Sequence, residues 1–320
     1  MTGLSGPAAA WPADGLEVLG RCPVCGESRR SLFLDRLRDT TFYTAPGEWS
    51  LWRCAGCSAL YLDPSPTPAT IGIAYQSYYT HEASPAPDGG AAPRAGSSGL
   101  RGKLVGRLSY ADPAYRERVP LPPRPGRPRL LDIGCGNGEY LARAREAGWD
   151  VFGCDFDPEA VRAARASGAE VREGGAETFL DQSGTFDAVT LSHIIEHVHD
   201  PAGLLAQCSD LLKPGGTLFV DTPNADARGL RLFRRSWRGL EPPRHLVLFN
   251  WEGLEALLGR SGFEAVERLP QKGLSLSLWM ASDRIRSGSR PGAAGRPSLR
   301  LLASLPLLAA LPWRRTEFVT

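Results

Sequence analysis

The stretch Leu130-Leu131-Asp132-Ile133-Gly134-Cys135-Gly136-Asn137-Gly138 sets alternating glycines directly behind an apolar run, with an acid two positions ahead of the first glycine. Glycine lets main chain approach a ligand with no Cβ in the way. A helix starting there would present free N–H groups to a carboxylate or phosphate. A second apolar segment, Val151-Phe152-Gly153-Cys154, closes on Asp155, and an acid at the tip of the next strand can take both hydroxyls of a ribose. Together these residues describe a pocket for a nucleoside cofactor. Their spacing is G-x-G-x-G, whereas dinucleotide folds favour G-x-G-x-x-G. Glu139 stands where that third glycine belongs, and a carboxylate there would repel a pyrophosphate, which counts against NAD or FAD.

Two other groups could do chemistry. Cys22-Pro23-Val24-Cys25 and Cys54-Ala55-Gly56-Cys57 form two C-x2-C knuckles separated by residues 26–53. Two knuckles supply the tetrahedral sulfur shell that zinc prefers, and a fully sulfur-ligated zinc has no open position for catalysis. Dithiol exchange is the competing reading; it needs a βαβ setting and a helix N-terminus to lower the thiol pKa, and neither is evident here. Cys135, Cys154 and Cys208 fall on apolar positions and read as small core residues. His193, His197 and His199 follow the apolar run Phe186–Leu191, and His245 lies in Pro242-Pro243-Arg244-His245-Leu246. Imidazole is the side chain best suited to accept a hydroxyl proton near neutral pH. His193-Ile194-Ile195-Glu196-His197 also reads H-x-x-E-H, a zinc-protease pattern that requires a long helix and a distant third ligand, and is rejected on that ground.

In combination, these motifs resemble the class I S-adenosylmethionine-dependent methyltransferases from about Arg129 to about Pro270. The resemblance implies that the loop of Asp132, Gly134, Gly136 and Gly138 passes under the methionine end of S-adenosylmethionine. It implies that Asp155 holds the ribose, with Phe156 against the adenine face. Gly174-Gly175-Ala176-Glu177 is similar to the stretch that reads the adenine edge, with Gly175 where an Asp is usual; contact then falls to Ala176 and Glu177. Ser192 and the histidines occupy the motif IV position after the fourth strand, which makes His197, His245 and His193 the candidate catalytic residues. Quinone O-methyltransferases carry a Glu-x-x-Glu-His run there that holds a divalent metal; this chain matches Glu196 and His197 but has His193 in place of the first Glu. A zinc ribbon with Cys22, Cys25, Cys54 and Cys57 as ligands, followed by Tyr75-Gln76-Ser77-Tyr78-Tyr79, resembles a recurrent bacterial arrangement in which the tyrosines approach the cofactor pocket as a lid.

The elements that must position these residues form an α/β fold, a Rossmann-like doubly wound sheet behind a small N-terminal zinc ribbon. Alternating strands and helices imply a parallel sheet with right-handed crossovers. The expected layout is a frayed start over 1–20, the ribbon over 21–64, a tyrosine segment and linker over 65–128, the cofactor-binding core over 129–270, and a C-terminal lid or extension over 271–320. Residues 82–128, rich in Pro, Gly, Ala and Ser, mark the linker, with one short helix expected within 104–119. Asp157-Pro158 reads as a helix N-cap, as does Asn250 ahead of Trp251–Leu258. Phe263–Leu269 should form the next strand, and Glu317–Thr320 a very short antiparallel last one.

At 320 residues and net charge +2, the chain suits a core domain with appendages and gives no general electrostatic case for nucleic acid or an anionic membrane. Clustered Arg228, Arg231, Arg234, Arg235 and Arg238 read as a solvated face or as a site for an acidic substrate. The N-terminus lacks a secretory signal pattern, and no run of about 18 apolar residues suggests a spanning helix. Leu301–Trp313 is apolar but interrupted by Pro306 and Pro312, which suggests a buried pair or lid, or shallow membrane contact. Paired and odd-numbered cysteines point to a reducing cytoplasm. The expected function is methyl transfer to a small molecule, most readily at oxygen on a sugar, lipid or secondary metabolite. The alternatives are an RNA base methyltransferase using the ribbon for recognition, and a non-catalytic cofactor-binding protein whose ribbon recruits a partner.

Overall fold

The computed structural model describes residues 10–76, 126–166, 168–269, 276–291, 298–303 and 317–319. Two larger sheets and a separate two-stranded pair organise them. Of the two sheets, the smaller is antiparallel. Strand β1 (Leu16–Glu17) precedes β2 (Arg30–Leu37), β3 (Trp49–Cys54), β4 (Leu60–Leu62) and β5 (Ser65–Pro66), and β1 pairs only with β5. Strands β2, β3 and β4 form a meander in which Leu51, Leu60, Tyr61 and Leu62 are fully buried.

The second sheet is built from β6 (Arg129–Ile133), β7 (Asp150–Asp155), β8 (Glu170–Glu173), β9 (Phe186–Ser192) and β10 (Leu212–Pro223). These five strands run parallel in the order β10-β9-β6-β7-β8, with β6 at their centre. Leu130, Leu131, Asp132 and Ile133 are buried on both faces of β6, as a strand between helical layers requires. Helices α1 (Glu139–Glu146) and α2 (Pro158–Arg165) follow β6 and β7, and α3 (Pro201–Leu211) leads into β10. Asp157 caps α2 by accepting from the Glu159 N–H at 2.9 Å, and Pro158 takes the first helical position. Cys135, Cys154 and Cys208 are buried core residues.

Past β10 lie α4 (Arg228–Phe233), strand β11 (Val247–Leu248), α5 (Trp251–Arg260), α6 (Leu276–Arg286) and β12 (Phe318–Val319). β12 pairs antiparallel with the end of β10, through Thr222–Val319 and Pro223–Phe318. The very short last strand therefore sits directly beside β10. Residues 263–269 are not a strand, contrary to the sequence expectation. Ala265 adopts φ +52°, a left-handed conformation that breaks extended backbone, and β12 is too short to template a further neighbour. Asn250 caps α5, accepting from the Gly253 N–H at 3.2 Å.

The cysteine module and the parallel-sheet core share structure. Strand β11 joins the small sheet, pairing with β4 through Val247–Tyr61 and Leu248–Leu60. The module also begins earlier than residue 21. Trp11 is buried and stacks edge-on against Trp49 at 5.1 Å, and β1 precedes the expected boundary. One of the two apolar clusters among the described residues runs from Trp11 to Val319 and spans the cysteine module and the parallel sheet. The expected helix within 104–119 and most of the apolar 301–313 segment lie outside the described residues. No helix among the described residues is long and apolar enough to cross a membrane.

Candidate active site

The turn after β6 is left-handed at each alternate glycine, with φ +74° at Gly134, +54° at Gly136 and +78° at Gly138. Side chains would be strained there, and crowding adds to this at two positions. A Cβ on Gly138 would lie 2.7 Å from the Ala164 main chain, and one on Gly134 would clash with Ile194 Cδ1. The second contact packs the segment between His193 and His197 directly on the glycine loop. A Cβ on Gly136 would meet nothing within 4 Å among the described residues, which leave the middle of the loop uncovered.

Asp155, at the carboxyl end of β7, accepts from the Gly136 N–H at 2.9 Å and from the Asp157 N–H at 2.9 Å. Burial pushes its carboxyl above the usual range against those two donors. Phe156 beside it is 76% exposed, an unusual setting for an aromatic ring and one that suits a flat partner. Ala176 is buried, and Glu177 turns back to accept from the Gly175 N–H at 2.8 Å. Asp132 lies deeper, accepting from Thr190 Oγ1 at 2.6 Å. The Ser192 hydroxyl, buried at the end of β9, has no hydrogen-bond partner among the described residues. An open cradle, an acid at its rim, an exposed ring and an unmatched hydroxyl fit the nucleoside and amino-acid parts of S-adenosylmethionine.

Three histidines surround Glu196 just beyond β9. Its carboxylate is fully buried and accepts from Thr222 Oγ1 at 2.8 Å. The other oxygen, Oε1, lies 3.3 Å from His193 Nδ1, 4.0 Å from His197 Nε2 and 4.0 Å from His245 Nε2. Burial pushes the Glu196 carboxyl up, but the His193 hydrogen bond and the charges of the three rings outweigh it and bring it down to about 2. His193 adopts φ +57° and reaches Asp221 Oδ2 at 3.6 Å through Nε2. Such backbone is costly for a residue with a Cβ and clusters at functional sites.

His245 is buried, with Nδ1 2.9 Å from the Gly239 carbonyl. Burial pulls its pKa down to about 4 although Glu241 and Glu196 oppose the shift, so the ring is neutral at physiological pH. His197 is more open, with Nδ1 3.0 Å from the Arg244 carbonyl and 2.9 Å from Tyr75 Oη. Because a carbonyl only accepts, Nδ1 of each ring carries a hydrogen toward it. His199 points elsewhere, its Nε2 2.9 Å from the Pro66 carbonyl. The H-x-x-E-H stretch contains only a 3-10 turn, Ile195–His197, not the long helix of a zinc protease. Glu196, His197 and His245 turn donor atoms toward one another within 4.8 Å, close enough to share a proton or a cation.

The cysteines also meet in space. Cys22 Sγ lies 3.7 Å from Cys57 Sγ and Cys25 Sγ lies 3.4 Å from Cys54 Sγ. Such spacings fit four sulfurs around one ion at about 2.3 Å each. Cys54 Sγ also accepts from the Gly56 N–H at 3.3 Å, as expected of a thiolate knuckle.

Sequence spacing did not reveal the residues that hold the histidine side. Arg244 is fully buried and pairs with Asp39, 205 positions away, through Nη2–Oδ1 at 2.6 Å and Nη1–Oδ2 at 3.1 Å. Removing one partner of such a pair typically costs about 3–5 kcal/mol. Thr222 and Asp221 are likewise distant in sequence from Glu196 and His193, which they meet. Three of the clustered arginines are engaged internally: Arg235 pairs with Asp35, Arg238 with Glu241, and Arg234 lies over the Phe33 ring at 5.5 Å.

The chain is similar to known methyltransferases. A family described as "Methyltransferase domain" matches residues 107–268, just over half of the chain. A ubiquinone biosynthesis O-methyltransferase of Xanthomonas axonopodis pv. citri is 38% identical over 124 residues, 37% of this chain and 52% of that protein. One of the same name from Xylella fastidiosa is 39% identical over 125 residues, 37% of this chain and 48% of that protein. The chain thus matches about half the length of these curated relatives. A SAM-dependent methyltransferase from Archaeoglobus fulgidus is a solved structure 21% identical to it, with a TM-score of 0.46, covering 64% of this chain and 90% of that one. With a central parallel β6 flanked by β7 and β9, a glycine turn closed by Asp155, and a family match across that unit, the chain belongs to the methyltransferase-domain family.

Proposed function

We propose that the protein transfers a methyl group from S-adenosylmethionine to a hydroxyl oxygen of a small molecule. One observation carries this reading: the segment bearing Glu196 and His197 packs through Ile194 onto the glycine loop, which brings an imidazole backed by a buried carboxylate to the cofactor side of the sheet. S-adenosylmethionine, when bound, supplies an electrophilic methyl carbon on a sulfonium. Gly134, Gly136 and Gly138 would hold its amino-acid tail, Asp155 its ribose, and Phe156, Ala176 and Glu177 its adenine. Ser192 would offer its hydroxyl to the same ligand.

The residues of this chain then need only align the acceptor and remove one proton. In-line displacement from a sulfonium draws most of its acceleration from positioning. His197 Nε2 accepts the hydroxyl hydrogen as the O–CH3 bond forms and the S–CH3 bond breaks, and the buried Glu196 carboxylate stabilises the imidazolium that results. His193, held between Glu196 and Asp221, orients the acceptor. His245 supports from behind, since its ring is buried. An oxygen acceptor also fits the O-methyltransferase names of the relatives. The four-cysteine cluster binds zinc structurally in this reading, and its gathered free thiols suit a reducing cytoplasm.

The test is transfer of labelled methyl from S-adenosylmethionine into a metabolite extract, resolved by mass spectrometry. Label on an oxygen of a small molecule, lost in His197→Gln, supports the proposal. Label in RNA, or none in any extract fraction, overturns it.

A further inference from the structure

We propose that Arg244 is a positioning residue that fixes the ring tautomer of His197, acting together with Asp39 of the cysteine module. The inference rests on the reading of His197 as proton acceptor and adds what sets its protonation state.

The ring has two possible neutral tautomers, and its Nδ1 has two neighbours. Tyr75 Oη, at 2.9 Å, satisfies either one, since a phenol both donates and accepts. The Arg244 carbonyl, at 3.0 Å, satisfies only the form with hydrogen on Nδ1. In the other form two lone pairs would face each other at that distance. The carbonyl therefore decides, and the decision leaves Nε2 free to take a proton. If the carbonyl moved away, Tyr75 could donate to Nδ1 and the hydrogen would sit on Nε2, which could then accept no proton.

The guanidinium of Arg244 holds that carbonyl in place. Nη1 and Nη2 grip Asp39 from the loop after β2, Nη1 also reaches the Ala74 carbonyl at 2.9 Å, and Nε reaches Glu241 Oε1 at 3.1 Å. The plane lies over the Phe42 ring at 4.4 Å. Asp39 is itself locked, accepting from the N–H groups of Thr41, Phe42, Thr44 and Ala45. One buried fork thus ties the cysteine module and the residue before Tyr75 to the carbonyl facing His197. Lysine, a point charge without a planar fork, cannot reproduce it.

The experiment labels histidine with 15N and reads the ring nitrogens of His197 in protein saturated with S-adenosylhomocysteine, in alkaline buffer. Wild type should show a single tautomer with hydrogen on Nδ1. Arg244→Lys and Asp39→Asn should each lose that single tautomer, while affinity for S-adenosylhomocysteine stays within twofold. Tyr75→Phe should keep it. Hydrogen on Nε2 in wild type overturns the proposal, as does an unchanged tautomer in both Arg244→Lys and Asp39→Asn. Loss of S-adenosylhomocysteine binding in both variants also overturns it, because Arg244 would then hold the fold and not the ring. Full methyl transfer by His197→Gln would instead defeat the functional reading and leave the tautomer result standing.

Discussion

The two halves of the site are built in opposite ways. The cofactor half comes from one continuous strand-turn-helix and the tip of the neighbouring strand, and its contacts are mostly main chain: glycine φ angles, the Gly136 N–H, the N–H groups before α2. The histidine half is assembled from Asp39, Tyr75, Glu196, Thr222 and Arg244–His245, and it depends on buried side chains meeting across the fold. A backbone cradle tolerates change elsewhere in the molecule. A cluster of buried charges does not, because each group is stable only while its partners remain.

This contrast is open to attack by substitution. The largest effect should come from His197→Gln, which removes the proton acceptor: turnover should fall roughly 10²- to 10⁴-fold, while calorimetry finds S-adenosylhomocysteine binding unchanged. Asp155→Ala should do the reverse. It removes charge-assisted bonds worth about 1.5–3 kcal/mol each, so affinity should drop on the order of 100-fold while His197 keeps its tautomer. Equal damage to both properties by either variant would break the division into halves.

Metal removal should act on the histidine half through the fold. Because β11 belongs to the cysteine module's sheet, a strong chelator or Cys54→Ser should lower the thermal midpoint by several degrees in one shared transition seen by scanning calorimetry. Two separated transitions would show that the module stands alone. The smallest effect concerns pH. His245 is held at about 4 in the fold against an ordinary 6.5, so its contribution is whole above 6.5 and declines as pH falls toward 4. Glu196 keeps its own advantage until pH drops below its ordinary 4.5 and loses it approaching about 2. Between pH 6.5 and 4.5, stability should therefore fall by on the order of 1 kcal/mol per unit, and His245→Gln should flatten that slope in denaturant titrations.

The same contrast explains what could be read from the chain alone. The cofactor half is legible because its requirements are local: alternating glycines, an acid at a strand tip, Asp157-Pro158 opening a helix. That the core strands run parallel follows from the alternation of apolar runs and helices. The cysteine pairs announce themselves by spacing, although the early start of their module at Trp11 and its borrowing of β11 do not. Glu196 is visible only as part of a run, and nothing local marks it as the centre of three histidines. The pairing of Asp39 with Arg244 has no local signature, since each looks like an ordinary surface charge until folding buries both. The missing strand at 263–269 failed for a related reason. Its residues suit extended backbone, but Ala265 turns left-handed and the sheet edge beside β10 is taken by Phe318–Val319.

Isothermal calorimetry of the full chain with S-adenosylhomocysteine and, separately, with NADH tests the cradle most directly. One S-adenosylhomocysteine per chain with no heat from NADH is the expected result. Uptake of NADH by folded protein that ignores S-adenosylhomocysteine would contradict it.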